Sequence, residues 1–129
     1  MAYLKPGAVT RKVFNPLAMK LGFWGVATLT VRRRTSGETQ NVPVIPLDHE
    51  GGRYVVSTRG ESDWVRNLRA AGGGELRRKG EATQVRAVEL PVEERPPVIA
   101  AYRAKAGREV DQYFEKLPDP ADHPVFRLE

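Results

Sequence analysis

Two prolines, Pro43 and Pro46, interrupt a run otherwise suited to a β-strand, Gln40-Asn41-Val42-Pro43-Val44-Ile45-Pro46-Leu47. Proline has no N–H to give to a ladder, so such a strand cannot be paired on both sides along its whole length. Part of it must be an edge or a bulge. Backbone carbonyls and amides left free beside such a break are groups with which a flat ring could pair.

The segments on either side also read as short β elements. Val26 to Val31 alternates and is rich in β-branched residues, which predicts a strand running on into Arg32-Arg33-Arg34. Thr35-Ser36-Gly37-Glu38 and Asp48-His49-Glu50-Gly51-Gly52 are turn chemistry, and Arg53 to Ser57 is a third strand. The three make an antiparallel meander. Ser62 is placed as the N-cap and Asp63 as the first-turn acid of a helix in which Trp64, Asn67, Leu68 and Ala71 share a face. Gly72-Gly73-Gly74 stops it. Glu75–Lys79 and Thr83–Leu90 form a hairpin turning at Gly80-Glu81, with Val85, Ala87 and Glu89 on one side. Helices follow over Val98–Ala106 and Glu109–Leu117, and Val125–Leu128 closes the chain as a strand. At the N-terminus, Val9, Val13, Leu17 and Leu21 outline an amphipathic helix over residues 8–21, kinked near Asn15-Pro16; a helix laid on a core and one lying on a membrane surface share this pattern. Six short antiparallel strands with few helices predict a small closed or split barrel, mainly β with flanking helices, in one domain over residues 1–129.

Several kinds of chemistry lack the residues they need. The two histidines, His49 and His123, have no second ligand at zinc spacing, and no serine stands in Gly-x-Ser-x-Gly. The glycine run is neither a Walker loop nor Gly-x-Gly-x-x-Gly. Any catalysis would therefore rest on a cofactor. No run of about eighteen apolar residues predicts a membrane span. The absence of cysteine and of an apolar leader fits a cytoplasmic protein. A net charge of +5 favours an anionic partner: nucleic acid, an acidic membrane surface, or a small molecule bearing phosphates or carboxylates.

Two basic, hydroxyl-bearing segments could hold such a molecule. Arg33, Arg34, Thr35 and Ser36 form the first turn; Ser57, Thr58, Arg59 and Gly60 join the third strand to the helix. In an up-down-up meander these ends return to one edge, so Arg33, Arg34 and Arg59 can converge near the partial positive charge of the helix N-terminus. The backbone over Val42–Ile45 and the Trp64 ring would flank a ring above them. An ordinary strand-to-helix connection with a core Trp and solvated arginines uses the same residues.

Leu29-Thr30-Val31-Arg32-Arg33-Arg34-Thr35-Ser36-Gly37, Val42-Pro43-Val44, Arg53–Gly60 and Asp63-Trp64-Val65-Arg66-Asn67-Leu68-Arg69-Ala70 together resemble the deazaflavin-dependent nitroreductase family, coenzyme F420-dependent oxidoreductases typical of actinobacteria. The resemblance implies a split β-barrel of the FMN-binding type, with the deazaflavin ring along the backbone of Pro43, Val44 and Ile45. It maps Arg34, Ser36, Thr58, Arg59 and Asn67 onto cofactor-contacting positions and Trp64 onto the aromatic beside them. With Arg33, Thr35, Gln40, Ser57 and Gly60, these make up the expected site. The chain departs from the family pattern at Thr35 and Gln40, where basic residues are common; Arg33 can replace one lost charge. The implied reaction moves a hydride between F420 and an electron-poor small organic substrate, as in nitroreductases or ene-reductases, with Tyr102, Tyr113 or solvent giving the proton. Arg66, Arg69, Arg77, Arg78 and Lys79 could line a basic mouth that attracts the anionic cofactor. The alternatives are an FMN-binding oxidoreductase, a non-catalytic cofactor carrier, and a basic barrel for single-stranded nucleic acid; Tyr54 and Phe126 are the clearest strand aromatics for the last. A homodimer and peripheral attachment to a membrane are compatible with all of these.

Overall fold

The computed structural model describes residues 26–129. The expected helix over residues 8–21 lies outside the described residues.

Strand β1 (Ala27–Arg32) buries Ala27, Leu29 and Val31 and turns Thr28, Thr30 and Arg32 outward, as its alternation requires. It pairs antiparallel with β2 (Thr39–Val44) from Ala27↔Val44 to Arg32↔Thr39. The turn between them is closed by Arg33 N–H to Glu38 O at 2.7 Å and Gly37 N–H to Arg33 O at 3.1 Å. The chain then bends at Ile45-Pro46 and resumes as β3 (Leu47–His49), which pairs with β4 (Gly52–Val56).

The run expected as one strand is therefore two, and the six expected strands become seven, in the order β2-β1-β5-β6-β7-β4-β3. The two ends of that order are consecutive in the chain and separated only by Ile45 and Pro46. The sheet curls until its end strands are the two arms of one bent segment. Pro43 sits opposite Thr28 in β2, whose other side has no ladder partner among the described residues, so its missing N–H costs no strand pairing there.

Helix α1 (Asp63–Ala71) follows β4. Its fully buried residues are Val65 and Leu68, with Asn67 beside them; Trp64 is half-buried and Ala71 exposed. The expected stripe is thus rotated toward Val65. Of the three glycines after it, only Gly72 (φ +75) ends the helix, donating its N–H to Leu68 O at 2.8 Å. Gly73 and Gly74 begin β5 (Gly73–Arg78), where a Cβ would run into the carbonyls of Val85 and Thr30. Strand β6 (Glu81–Glu89) turns Val85, Ala87 and Glu89 to one side, as expected. The β5–β6 turn is Lys79-Gly80, one residue earlier than expected. Both residues have positive φ, as do Glu50-Gly51 between β3 and β4, the backbone that matches the twist of a tight hairpin.

Helix α2 (Arg95–Ala106) starts three residues before the expected Val98, with Pro96-Pro97 in its first turn, and α3 (Arg108–Lys116) follows at Gly107. Strand β7 (Val125–Leu128) pairs with β4 and β6. Neighbouring residues serve two cores. Val44, Val55 and Phe126 join Leu29, Val31, Val65 and Leu68 inside the barrel. Ile45, Val56 and Val125 join Val98, Ile99, Tyr102, Val110 and Phe114 beneath α2 and α3. Strands covered on both faces read as continuous apolar pairs instead of alternating. No helix among the described residues is long and apolar enough to cross a membrane.

Replacing Gly74 with Ala drives a Cβ into the β1 backbone and is expected to cost about 2–3 kcal/mol by urea unfolding. Gly72→Ala, strained only by its positive φ, is expected to cost about 1 kcal/mol. Equal midpoints for the two variants would contradict this account of the glycine run.

Candidate cofactor site

The first turn and the start of α1 meet through one carboxamide. Arg34 donates from its backbone N–H (3.1 Å) and from Nη1 (2.7 Å) to Asn67 Oδ1. Asn67 Nδ2 donates to Gln40 Oε1 at 2.8 Å. Arginine only donates, so the Asn67 oxygen must face Arg34 and its nitrogen must find an acceptor. Gln40 supplies that acceptor, which a lysine or arginine could not. The departure at Gln40 is therefore part of a satisfied network around Asn67, which is 2% exposed. Arg34 also lies 3.5 Å from Asp63 Oδ1 and from the Asp63 carbonyl, a long and largely exposed pair that contributes little to stability.

At the N-terminus of α1, Ser62 holds the N-cap position without making the cap hydrogen bond. Its Oγ is buried and has no hydrogen-bond partner among the described residues, and the same holds for Nε of Arg66, four residues on and on the same helix face. Two buried polar atoms left unsatisfied beside a helix N-terminus fit an anionic group, because that end carries free N–H groups and partial positive charge. Trp64, half-buried, packs against the barrel core, as does Val42 of β2.

The second basic segment is built differently from expectation. Ser57, 1% exposed, is committed to structure: its Oγ donates to Gly60 O at 2.6 Å and its N–H to Pro124 O at 2.9 Å. Gly60 takes φ +88, and Thr58 is half-buried. Arg59 reaches α3, donating from Nη2 to Tyr113 Oη at 3.1 Å with its guanidinium 5.2 Å from the ring centroid. Arg34 is thus tied to α1 and Arg59 to α3. In the first turn, Thr35 is exposed, Ser36 Oγ accepts from Glu38 N–H at 3.3 Å, and the Arg33 backbone closes the loop. Pro43 is half-buried on β2, while Val44 and Ile45 point their side chains into the two cores.

The basic mouth loses two members. Arg69 is engaged by Glu89 (2.7 Å) and Glu61 (3.0 Å), which raise its pKa, the Glu89 hydrogen bond most of all. Arg77 pairs with Glu75 at 3.1 Å. Tyr102 is buried beneath α2, and desolvation raises its pKa, so it is a poor proton donor. A feature not legible in the sequence is Lys105, whose Nζ donates to Pro46 O at 2.7 Å and whose pKa is lowered by burial and by Arg78. An open depression bordered by Asp48, Arg53, Thr83, Val85 and Arg127 shares no residue with the expected site.

A curled antiparallel sheet with an interrupted edge strand, flanked by helices, defines a split-barrel protein. Residues 8–117 match the F420H(2)-dependent quinone reductase family, and the chain belongs to it. F420 is accordingly its cofactor and reduction its class of reaction. Among curated proteins no sequence matches. Solved structures share the fold. An F420-H2 dependent reductase, FDR-A, is 22% identical over 81% of this chain and 93% of its own, with a TM-score of 0.61. A structure described as a domain-swapped dimer is 19% identical over 95% and 100%, with a TM-score of 0.63. HutZ, the heme storage protein from Vibrio cholerae, is 14% identical over 92% and 87%, with a TM-score of 0.61.

Asn67→Leu strands both Arg34 donors and the Gln40 acceptor. It is expected to cost about 2–3 kcal/mol by urea unfolding. A loss below about 0.5 kcal/mol would show that the network carries little stability.

Proposed function

We propose that this chain binds F420H2 with the phosphodiester at the N-terminus of α1 and uses it to reduce an electron-poor small molecule, such as the quinone for which its family is named. The observation that carries this reading is the pair of unsatisfied buried atoms, Ser62 Oγ and Arg66 Nε, at that helix end. Arg34 stands beside them, held by Asn67, and its weak contact with Asp63 is one a phosphate oxygen could replace. The side of β2 that is unpaired among the described residues, over Pro43 and Val44, and the bend at Ile45 offer backbone groups to the ring.

When bound, F420H2 supplies the hydride. The residues of the chain orient the two reactants and exclude water, and such positioning can lower a barrier by several kcal/mol. Arg59 occupies a lone pair of Tyr113 Oη, which leaves the hydroxyl hydrogen available to a substrate oxygen. Tyr113 is therefore the proton donor in this reading, and Tyr102 is not.

Titration with F420 followed by its fluorescence tests the assignment. Ser62→Ala, Arg34→Ala and Trp64→Ala are each expected to weaken binding about tenfold or more, as loss of a charge-assisted or well-packed contact does. Ser62→Ala and Arg34→Ala should melt within a few degrees of the parent, and Trp64→Ala, which also loses packing against the barrel core, should melt lower but still cooperatively. Unchanged F420 affinity in all three folded variants, or tighter binding of FMN than of F420, would refute the placement.

A further inference from the structure

We propose that His123 is a positioning residue for the cofactor site, setting the Ser57–Gly60 loop against helix α3. The proposal rests on the reading that this loop borders the F420 site. His123 is fully buried, and its ring lies 4.3 Å from that of Phe114 at 33°. Nδ1 lies 2.8 Å from Ser57 O, and Nε2 makes a short contact with Leu117 O. Ser57 opens the loop that carries Arg59; Leu117 caps the helix that carries Tyr113. The two ring nitrogens therefore join the same two elements that meet in the Arg59–Tyr113 contact.

The grip on Ser57 is complete. Its carbonyl faces His123 and its N–H donates to Pro124 O, while its Oγ closes the loop on Gly60 O. On the α3 side, Leu117 N–H donates to Tyr113 O at 2.9 Å, so the carbonyl that meets Nε2 belongs to the last turn below Tyr113. The ring thus spans from the loop to the end of α3, with a carbonyl at each of its nitrogens.

Three measurements decide the matter. His123→Phe keeps a ring against Phe114 but removes both ring nitrogens, and F420 affinity should fall about tenfold, the loss expected when a buried hydrogen bond is broken. His123→Gln, whose amide has two donor hydrogens, should recover part of that loss, and it also serves if the Phe variant does not fold. Because His123 acts through Arg59, the His123→Phe/Arg59→Ala double variant should bind F420 no more weakly than Arg59→Ala alone. Parent-like affinity in folded His123 variants, while Arg59→Ala binds weakly, would overturn the positioning role alone. Parent-like affinity in Arg59→Ala as well would instead remove the placement of F420 at this loop, and the proposal with it.

Discussion

One bend holds the architecture together. At Ile45-Pro46 the second strand leaves β1 and goes on to pair with β4, so a single chain segment supplies both end strands of the seven-stranded order. Proline is suited to that place because the bend belongs to neither ladder and its missing N–H costs no pairing. A sheet whose ends are covalently continuous has few free edges, which limits edge-to-edge association. Lys105 reinforces the bend from α2 by donating to the Pro46 carbonyl.

The bend and the paired strands β4 and β7 are apolar on both faces. Val44-Ile45, Val55-Val56 and Val125-Phe126 each send one side chain into the barrel and the next under α2 and α3. The two cores meet across these segments, so the barrel and its helices are packed as a unit. Arg95, 6% exposed, ties the start of α2 to the carbonyls of Leu90, Pro120 and Ala121 and to Glu89. A buried guanidinium needs several such partners, because losing its hydration is costly.

Within this frame the proposed site is bordered by two such networks. Asn67 fixes Arg34 against α1, and the His123-Pro124 segment fixes Ser57 beneath the loop that carries Arg59. Much of the positive charge in the chain is neutralised internally: Arg69 by Glu61 and Glu89, Arg77 by Glu75, Arg86 by Glu129. The overall charge of +5 is therefore a poor guide to which cations face a ligand.

Local order set most of the strands and turns and the existence of the helices, to within a few residues, because alternation, Gly-containing turns and prolines act over short distances. The family was legible too, since it rests on the linear pattern around Arg32–Gly37 and Trp64–Leu68. Contacts distant in sequence were not. Nothing in the order of residues tells that Gln40 is the acceptor for Asn67, that Arg59 turns to Tyr113, or that His123 reaches Ser57 across 66 positions. Those partners are chosen by which buried donors and acceptors the closed sheet brings face to face. Each must be paired once water is excluded, and only the packed structure decides with what.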